Sequence, residues 1–136
     1  MEDKHCILID ERDQSSTLKA IHRILRDDHG INFIYEQINP SDSMFQSLDE
    51  ESETPKIDLE KIKQGILSIP YFRRTNTIAI DYNLVEDELN GFQVASIIRQ
   101  LGYKANKEIL LYSAGIENAI DSILYDQLTI GVRSLG

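Results

Sequence analysis

Cysteine, basic residues and long apolar runs are scarce in this sequence, and each scarcity excludes a class of protein. Cys6 is the only cysteine in 136 residues, so no intramolecular disulfide forms and a reducing cytoplasm is the expected compartment. Lysine and arginine number 14 against 23 acidic residues, which gives a net charge of −9. We therefore expect no nucleic-acid ligand, because phosphate backbones require neutralisation by Lys and Arg. We also expect no membrane segment, since no apolar run approaches roughly 20 residues and the N-terminal MEDKHC is too polar for a signal peptide.

Apolar runs alternate with helical periodicities along the chain. Strands are predicted at residues 5–9, 31–38, 76–81, 108–112 and 128–132. Between them, apolar residues at helical spacing predict four helices, with the faces Leu18, Ile21, Ile24 and Leu25; Leu59, Ile62 and Ile66; Phe92, Ala95, Ile98 and Leu101; and Ile116, Ile120, Ile123 and Leu124. Asp13 or Ser15 is the predicted cap of the first helix, and Gly30 the predicted stop. This alternation predicts one α/β domain over residues 1–136, a doubly wound parallel sheet of five strands.

Two features depart from a regular alternation. Residues 39–58 are polar and acidic, and we predict a loop or mobile insertion there. No helix follows the fifth predicted strand, so the last helix of a complete alternation is missing. The sheet face beside that strand is then expected to expose apolar surface, which predicts either a homodimer through this face or a continuing polypeptide that covers it.

Acidic and hydroxyl side chains follow three of the predicted strands. Asp10 and Glu11 end the first strand, Asp81 ends the third, and Ser113 ends the fourth. Because the carboxyl ends of parallel strands meet at one edge of the sheet, these side chains are expected to converge on one crevice. Clustered carboxylates repel one another, and Mg²⁺ is a cation that such oxygen ligands hold. The sequence therefore predicts a magnesium site that also handles a phosphoryl group.

At these residues the chain resembles the receiver domain of two-component response regulators. The matching pieces, in chain order, are LIDE (8–11), IAIDYNL (78–84), the glycine of NGF (90–92) and LLYSA (110–114). The resemblance covers most of the chain outside roughly residues 39–70. It implies a flavodoxin-like sheet with the strand order 2-1-3-4-5.

The resemblance also implies roles for the strand-end residues. Asp81 matches the phosphoacceptor that forms an acyl phosphate, and Asp10 and Glu11 match the acidic pair that holds Mg²⁺. Asn83 matches the position whose backbone carbonyl binds the metal. The implied phosphoryl donor is a phosphohistidine on a histidine kinase or phosphotransfer protein. A domain of this kind is not an enzyme, beyond self-catalysed phosphotransfer and dephosphorylation.

The switch positions follow the fourth and fifth strands. Ser113 matches the hydroxyl that moves toward the phosphoryl group, and Ala114 leaves room beside it. The family keeps a lysine at the end of strand five, whereas Arg133 is the only basic residue after Lys107 and falls about where that lysine belongs. Arginine binds phosphate but is not isosteric with lysine.

Two alternative functions remain open at this point. The missing lysine, the absence of an aromatic switch residue on strand five and the long insertion favour a pseudo-receiver, which keeps the fold for protein contacts alone. A phosphohydrolase of the haloacid dehalogenase type also uses a strand-end aspartate as nucleophile. Such enzymes need an acid/base two residues later, and that position holds Asn83, which cannot exchange protons.

Overall fold

The computed structural model describes residues 2–48, 51, 54–85, 88–102, 108–113 and 131–135, the last segment by its backbone. In chain order the described elements are β1 (Glu2–Ile9), α1 (Ser15–His29), β2 (Ile31–Ile38), β3 (Gln46–Leu48), β4 (Pro55–Ile57), α2 (Leu59–Leu67), β5 (Thr77–Asp81), β6 (Asn83–Val85), β7 (Leu89–Asn90), α3 (Gly91–Gln100), β8 (Glu108–Tyr112) and β9 (Gly131–Leu135). Short 3₁₀ turns occupy Ser43–Phe45 and Phe72–Arg74. Within these described residues, no helix combines the length and the apolar character needed to span a bilayer.

The main sheet is parallel throughout, in the order β2-β1-β5-β8-β9. Two antiparallel pairs, β3 with β4 and β6 with β7, lie outside it. The α/β class and the parallel central sheet predicted from the alternation are therefore confirmed. In register, Ile9 of β1 lies beside Ile80 of β5, and Asp81 lies beside Tyr112 of β8.

Side chains of the main strands alternate between two buried layers. In β1, Cys6 and Leu8 join the cluster that contains the apolar face of α1, and Ile7 and Ile9 join the cluster that contains α2 and α3. Successive strand residues point to opposite faces of a sheet, which explains why the end of this strand, residues 6–9, is apolar without interruption. Burial raises the pKa of the Cys6 thiol to about 12, so Cys6 acts as a small apolar core residue.

The first helix differs from the prediction at its start. Its cap is Gln14, whose side chain makes no capping hydrogen bond, so neither Asp13 nor Ser15 is the N-cap. Asp13 instead accepts from the Ser15 N–H at 2.9 Å, a local turn just before the helix. At the other end the prediction is confirmed, because Gly30 adopts φ 65° and its N–H bonds back to the last turn.

The described part of the acidic insertion is more ordered than the sequence predicts. A 3₁₀ turn and the β3–β4 pair occupy part of residues 39–58, where a loop was predicted, and Phe45 is only 4% exposed. Asp58 connects this segment to α2, since its side chain caps the helix by accepting from the Glu60 and Lys61 N–H groups. Ser47 donates to the same carboxyl at 2.7 Å. Burial of Phe45 and the hydrogen bonds of the Asp58 carboxyl therefore order a segment for which composition alone predicts a loop.

Several predicted boundaries and faces are wrong. Ile24 and Phe92 are 39% and 56% exposed, and neither belongs to the buried face of its helix. In α3 the buried set includes Val94 in place of Phe92. The described part of the last strand, Gly131–Leu135, extends three residues beyond the predicted end, whereas the predicted start at residue 128 and the predicted helix at residues 116–124 lie outside the described residues.

Candidate functional site

The carboxyl edge of the main sheet brings together two of the predicted acids. Asp10 directly follows β1, and Asp81 is the last residue of the adjacent strand β5. Both are buried, with 0% and 3% of their surface exposed. Each lies two residues after a member of the α1-facing cluster, Leu8 and Ala79, so the strand alternation sends both carboxylates to the α1 face.

Asp10 is held by three donors of the chain itself. Its Oδ2 accepts from the Tyr112 hydroxyl at 2.6 Å and from Gln14 Nε2 at 3.2 Å. Its Oδ1 accepts from the backbone N–H of Arg12 at 2.9 Å. A buried carboxylate is stable only when its lone pairs are satisfied, and here both oxygens are.

The carboxyl group of Asp81 has fewer hydrogen-bond donors around it than that of Asp10. Its Oδ1 accepts from the Asn83 backbone N–H at 3.1 Å, and its Oδ2 lies 3.4 Å from Arg12 Nη2. Burial raises the pKa of the Asp81 carboxyl above its usual value, while the Asn83 N–H lowers it. The neighbouring Asp10 carboxylate raises this pKa further, and the Arg12 guanidinium lowers it. Among the described residues, Oδ1 is held by a backbone N–H, whereas Oδ2 has only the longer contact with the Arg12 guanidinium.

Arg12 is a site residue that the sequence did not predict. Its Nε lies 3.5 Å from Asp10 Oδ1 and its Nη2 lies 3.4 Å from Asp81 Oδ2, so one guanidinium spans both carboxylates. The carboxylate of Asp10, followed by that of Asp81, raises the pKa of Arg12. The available signal was its place two residues beyond Asp10, in the loop DERD that enters the predicted crevice.

Tyr112 is the second residue that the sequence did not predict. It is fully buried in β8, two residues after Leu110 of the α1-facing cluster, and its hydroxyl reaches Asp10 two strands away. Burial raises the pKa of this phenol, and the hydrogen bond to Asp10 raises it further, so Tyr112 remains a donor. In the sequence it ends the run EILLY, which predicts a buried strand, and nothing local indicates that its hydroxyl has a polar role.

The remaining predicted residues lie around this centre. Glu11 and Asn83 are exposed, and the Glu11 carbonyl accepts from Asn39 Nδ2 at 3.1 Å. Ser113 is half-buried at the end of β8, whereas Ala114 lies outside the described residues. Arg133 pairs in register with Leu110, two residues before the level of Asp81, and its side chain is not among those described. Its role as a lysine replacement stays a prediction.

The carboxylates of this site are compatible with Mg²⁺. Among the described residues, no group of three or more His, Cys, Asp and Glu side chains is arranged to hold a metal ion. Two carboxylates, Asp10 and Asp81, already share a cationic group, and Mg²⁺ is commonly held by one or two carboxylates with waters and phosphate oxygens completing its shell. These two carboxylates suit Mg²⁺ in chemistry and charge. The Arg12 guanidinium lies between them, which shows that this position attracts a positive group.

The raised pKa of Asp81 gives a pH-dependent prediction. A carboxyl whose folded pKa lies above its unfolded value of about 3.9 adds stability below that value, and the contribution is lost as the pH rises through the folded pKa. Asp81→Asn stays neutral and keeps an oxygen acceptor. We expect its free energy of unfolding at pH 7 to exceed that of wild type by about 1 kcal/mol, and the difference to shrink towards pH 4.

Urea denaturation at both pH values measures this difference. Asp27→Asn is the matched control, because Asp27 makes an exposed pair with Arg26 and its substitution changes the same charge. We expect its effect to stay within about 0.5 kcal/mol. An Asp81→Asn protein less stable than wild type at pH 7 contradicts the argument from burial.

The chain is similar to proteins of known structure. No protein-family profile matches the sequence, and no curated protein matches it. The chain is similar to the N-terminal domain of a response regulator/sensory box/GGDEF 3-domain protein from Carboxydothermus hydrogenoformans. The two share 15% sequence identity with a TM-score of 0.47, over 96% of this chain and 80% of that chain.

Proposed function

We propose that this chain is a signal-transduction receiver domain of the flavodoxin-like type, in which Asp81 accepts a phosphoryl group. The observation that carries the proposal is the pair of buried carboxylates, Asp10 and Asp81, on adjacent parallel strands with a cationic group between them. The order of the paired strands, β2-β1-β5-β8-β9, supports it, because the site then lies at the carboxyl edge of the central strands.

The chemistry assigned to Asp81 is a nucleophilic displacement at phosphorus. Oδ2 attacks the phosphorus of a phosphohistidine on a kinase or phosphotransfer protein, an O–P bond forms, and the P–N bond breaks with its electron pair left on the imidazole nitrogen. The Asn83 N–H holds Oδ1 at 3.1 Å and so orients the carboxylate. Ser113, which directly follows β8, is assigned the hydroxyl that binds the phosphoryl oxygens.

Asp10 and Asp81 are the residues assigned to hold Mg²⁺, with Glu11 through water and the Asn83 carbonyl as further oxygen ligands. When bound, the ion neutralises charge on the phosphoryl oxygens. We expect no turnover of phosphate esters, because Asn83 cannot act as the acid/base that a hydrolase needs two residues after its nucleophile. We expect the domain to act in the cytoplasm.

One observation favours a second candidate, a pseudo-receiver that binds proteins without being phosphorylated. Arg12 already supplies a positive charge to both carboxylates, and both Asp10 oxygens accept hydrogen bonds. Because Arg12 neutralises half of the charge of the pair, the pocket depends less on a metal. In this candidate the domain acts through its surface, and neither Mg²⁺ nor a phosphodonor changes its state.

Intact-mass measurement separates the two candidates. Wild type is incubated with Mg²⁺ and a small phosphodonor such as acetyl phosphate, and we expect one added phosphoryl group that is stable in acid and labile in base. Asp81→Asn is expected to show none, and Asp27→Asn, an exposed control, the wild-type amount. Wild type without the addition, or Asp81→Asn with it, contradicts phosphorylation at Asp81 and favours the pseudo-receiver.

A further inference from the structure

Arg12 occupies a position that no part of the proposed phosphoryl chemistry explains. Its backbone N–H donates to Asp10 Oδ1 at 2.9 Å, which ties residue 12 to the end of β1. From there its guanidinium lies 3.5 Å from the same carboxylate and 3.4 Å from Asp81 Oδ2. The oxygen that Arg12 contacts on Asp81 is the one that has no other hydrogen-bond donor among the described residues.

The charges of this group explain why a cation belongs there. The side chains of Asp10 and Asp81 are 0% and 5% exposed, so water screens their mutual repulsion poorly. One guanidinium reduces the charge of the pair from −2 to −1. A divalent cation between the same oxygens brings the charge of the pair to zero, and because it contacts the same oxygens it competes directly with Arg12.

Arg12 is also free to leave. Its side chain is 53% exposed, so departure from the carboxylates returns the guanidinium to water at small cost. The contacts at 3.4–3.5 Å are longer than the 2.7–2.9 Å typical of a tight charge-assisted pair. The carboxylates, by contrast, are fixed by Tyr112 and by backbone N–H groups whether or not Arg12 is present.

We propose that Arg12 is an internal counter-ion that competes with divalent cations for the Asp10–Asp81 pair and so sets the metal affinity of the domain. With Arg12 docked, half of the charge of the pair is neutralised without metal. With metal bound, the guanidinium is displaced to solvent. The proposal rests on the proposed function only in placing the metal at this pair, and it requires no phosphorylation.

Binding of Mn²⁺, followed by the electron paramagnetic resonance signal of the free ion, tests the competition. We expect Arg12→Gln to bind Mn²⁺ at least ten-fold more tightly than wild type. Arg26→Gln is the matched control, because it removes the same charge from an exposed pair with Asp27, and we expect its affinity to stay within two-fold of wild type. Equal affinities in Arg12→Gln and Arg26→Gln, or weaker binding in Arg12→Gln, overturn the proposal.

Two further variants locate the effect. In Arg12→Gln/Asp81→Asn we expect the tighter binding to be lost, and its persistence overturns the proposal by placing the ion elsewhere. Arg12→Lys covers the case in which Arg12→Gln does not fold, since a compact ammonium does not span two carboxylates as a guanidinium does. We expect Arg12→Lys to bind Mn²⁺ at least three-fold more tightly than wild type, and wild-type affinity in this variant contradicts the competition.

Thermal unfolding gives a readout that is independent of metal affinity. In EDTA we expect Arg12→Gln to melt below wild type, because its carboxylates are unneutralised, and in saturating Mg²⁺ we expect the gap to close. A gap of the same size in both solutions overturns the proposal. None of these measurements uses a phosphodonor, so a domain that fails to accept a phosphoryl group but shows tighter Mn²⁺ binding in Arg12→Gln contradicts the proposed function alone.

Discussion

The Gly91→Ala protein is expected to lose about 3 kcal/mol of folding free energy and to melt roughly 10 °C below wild type. Gly91 is the buried first residue of α3, and its N–H donates to the Tyr82 carbonyl at 2.9 Å. A Cβ there stands 2.9 Å from the Asp81 carbonyl oxygen, 3.0 Å from the Tyr82 Cα and 2.9 Å from Leu111 Cδ2. Because two of these three atoms are backbone, the end of β5 must move.

Gly65→Ala is the matched control for this prediction. Gly65 lies inside α2, and a Cβ there stands 2.6 Å from the buried ring of Phe45, so one side chain must move but none of the three nearest atoms is backbone. Alanine also gains about 1 kcal/mol of helix propensity, which offsets the crowding. Overpacking of this kind costs about 1–3 kcal/mol, so we expect a net loss of at most about 2 kcal/mol in urea denaturation, smaller than that of Gly91→Ala. Equal losses for Gly65→Ala and Gly91→Ala contradict the argument that backbone contact at Gly91 is the cause.

The Tyr112→Phe protein is expected to lose about 2–3 kcal/mol. The tyrosine hydroxyl donates to Asp10 Oδ2 at 2.6 Å, and both residues are 0% exposed. Phenylalanine keeps the packing of the ring and removes only the donor. Gln14 Nε2, at 3.2 Å, is then the one remaining partner of this oxygen among the described residues, so a charged acceptor is left poorly satisfied in the core.

Tyr71→Phe is the matched control, because it removes a tyrosine hydroxyl that makes no hydrogen bond among the described residues. The Tyr71 hydroxyl is buried and has no hydrogen-bond partner within the part of the chain that the structure describes. Its removal is expected to leave stability unchanged or to raise it by up to about 1 kcal/mol, since an unsatisfied buried hydroxyl is a cost. Urea denaturation of both variants provides the comparison. A Tyr112→Phe protein as stable as Tyr71→Phe contradicts the structural role given to the Tyr112–Asp10 bond.

Periodicity predicted an element correctly where a local pattern of the chain decides it. The strand at residues 31–38 and the stop of α1 at Gly30 follow from local patterns, and both are found as predicted. The predictions failed where a contact distant in sequence decides the structure. Phe45 is buried beside Gly65 of α2 and orders part of the predicted loop, and Phe92 pairs with Tyr82 at the surface instead of entering the core.

The sequence by itself determined that strands and helices alternate and that acidic residues end the first and third predicted strands, because side-chain periodicity and strand ends are local properties of the chain. Only the tertiary structure decided which side chains complete the site. Arg12 reaches Asp81, and Tyr112 reaches Asp10 from two strands away, with the carboxylates of Asp10 and Asp81 directed to the α1 face. Such contacts depend on strand order, register and the face that each residue occupies, and none of these is written in any short stretch of sequence.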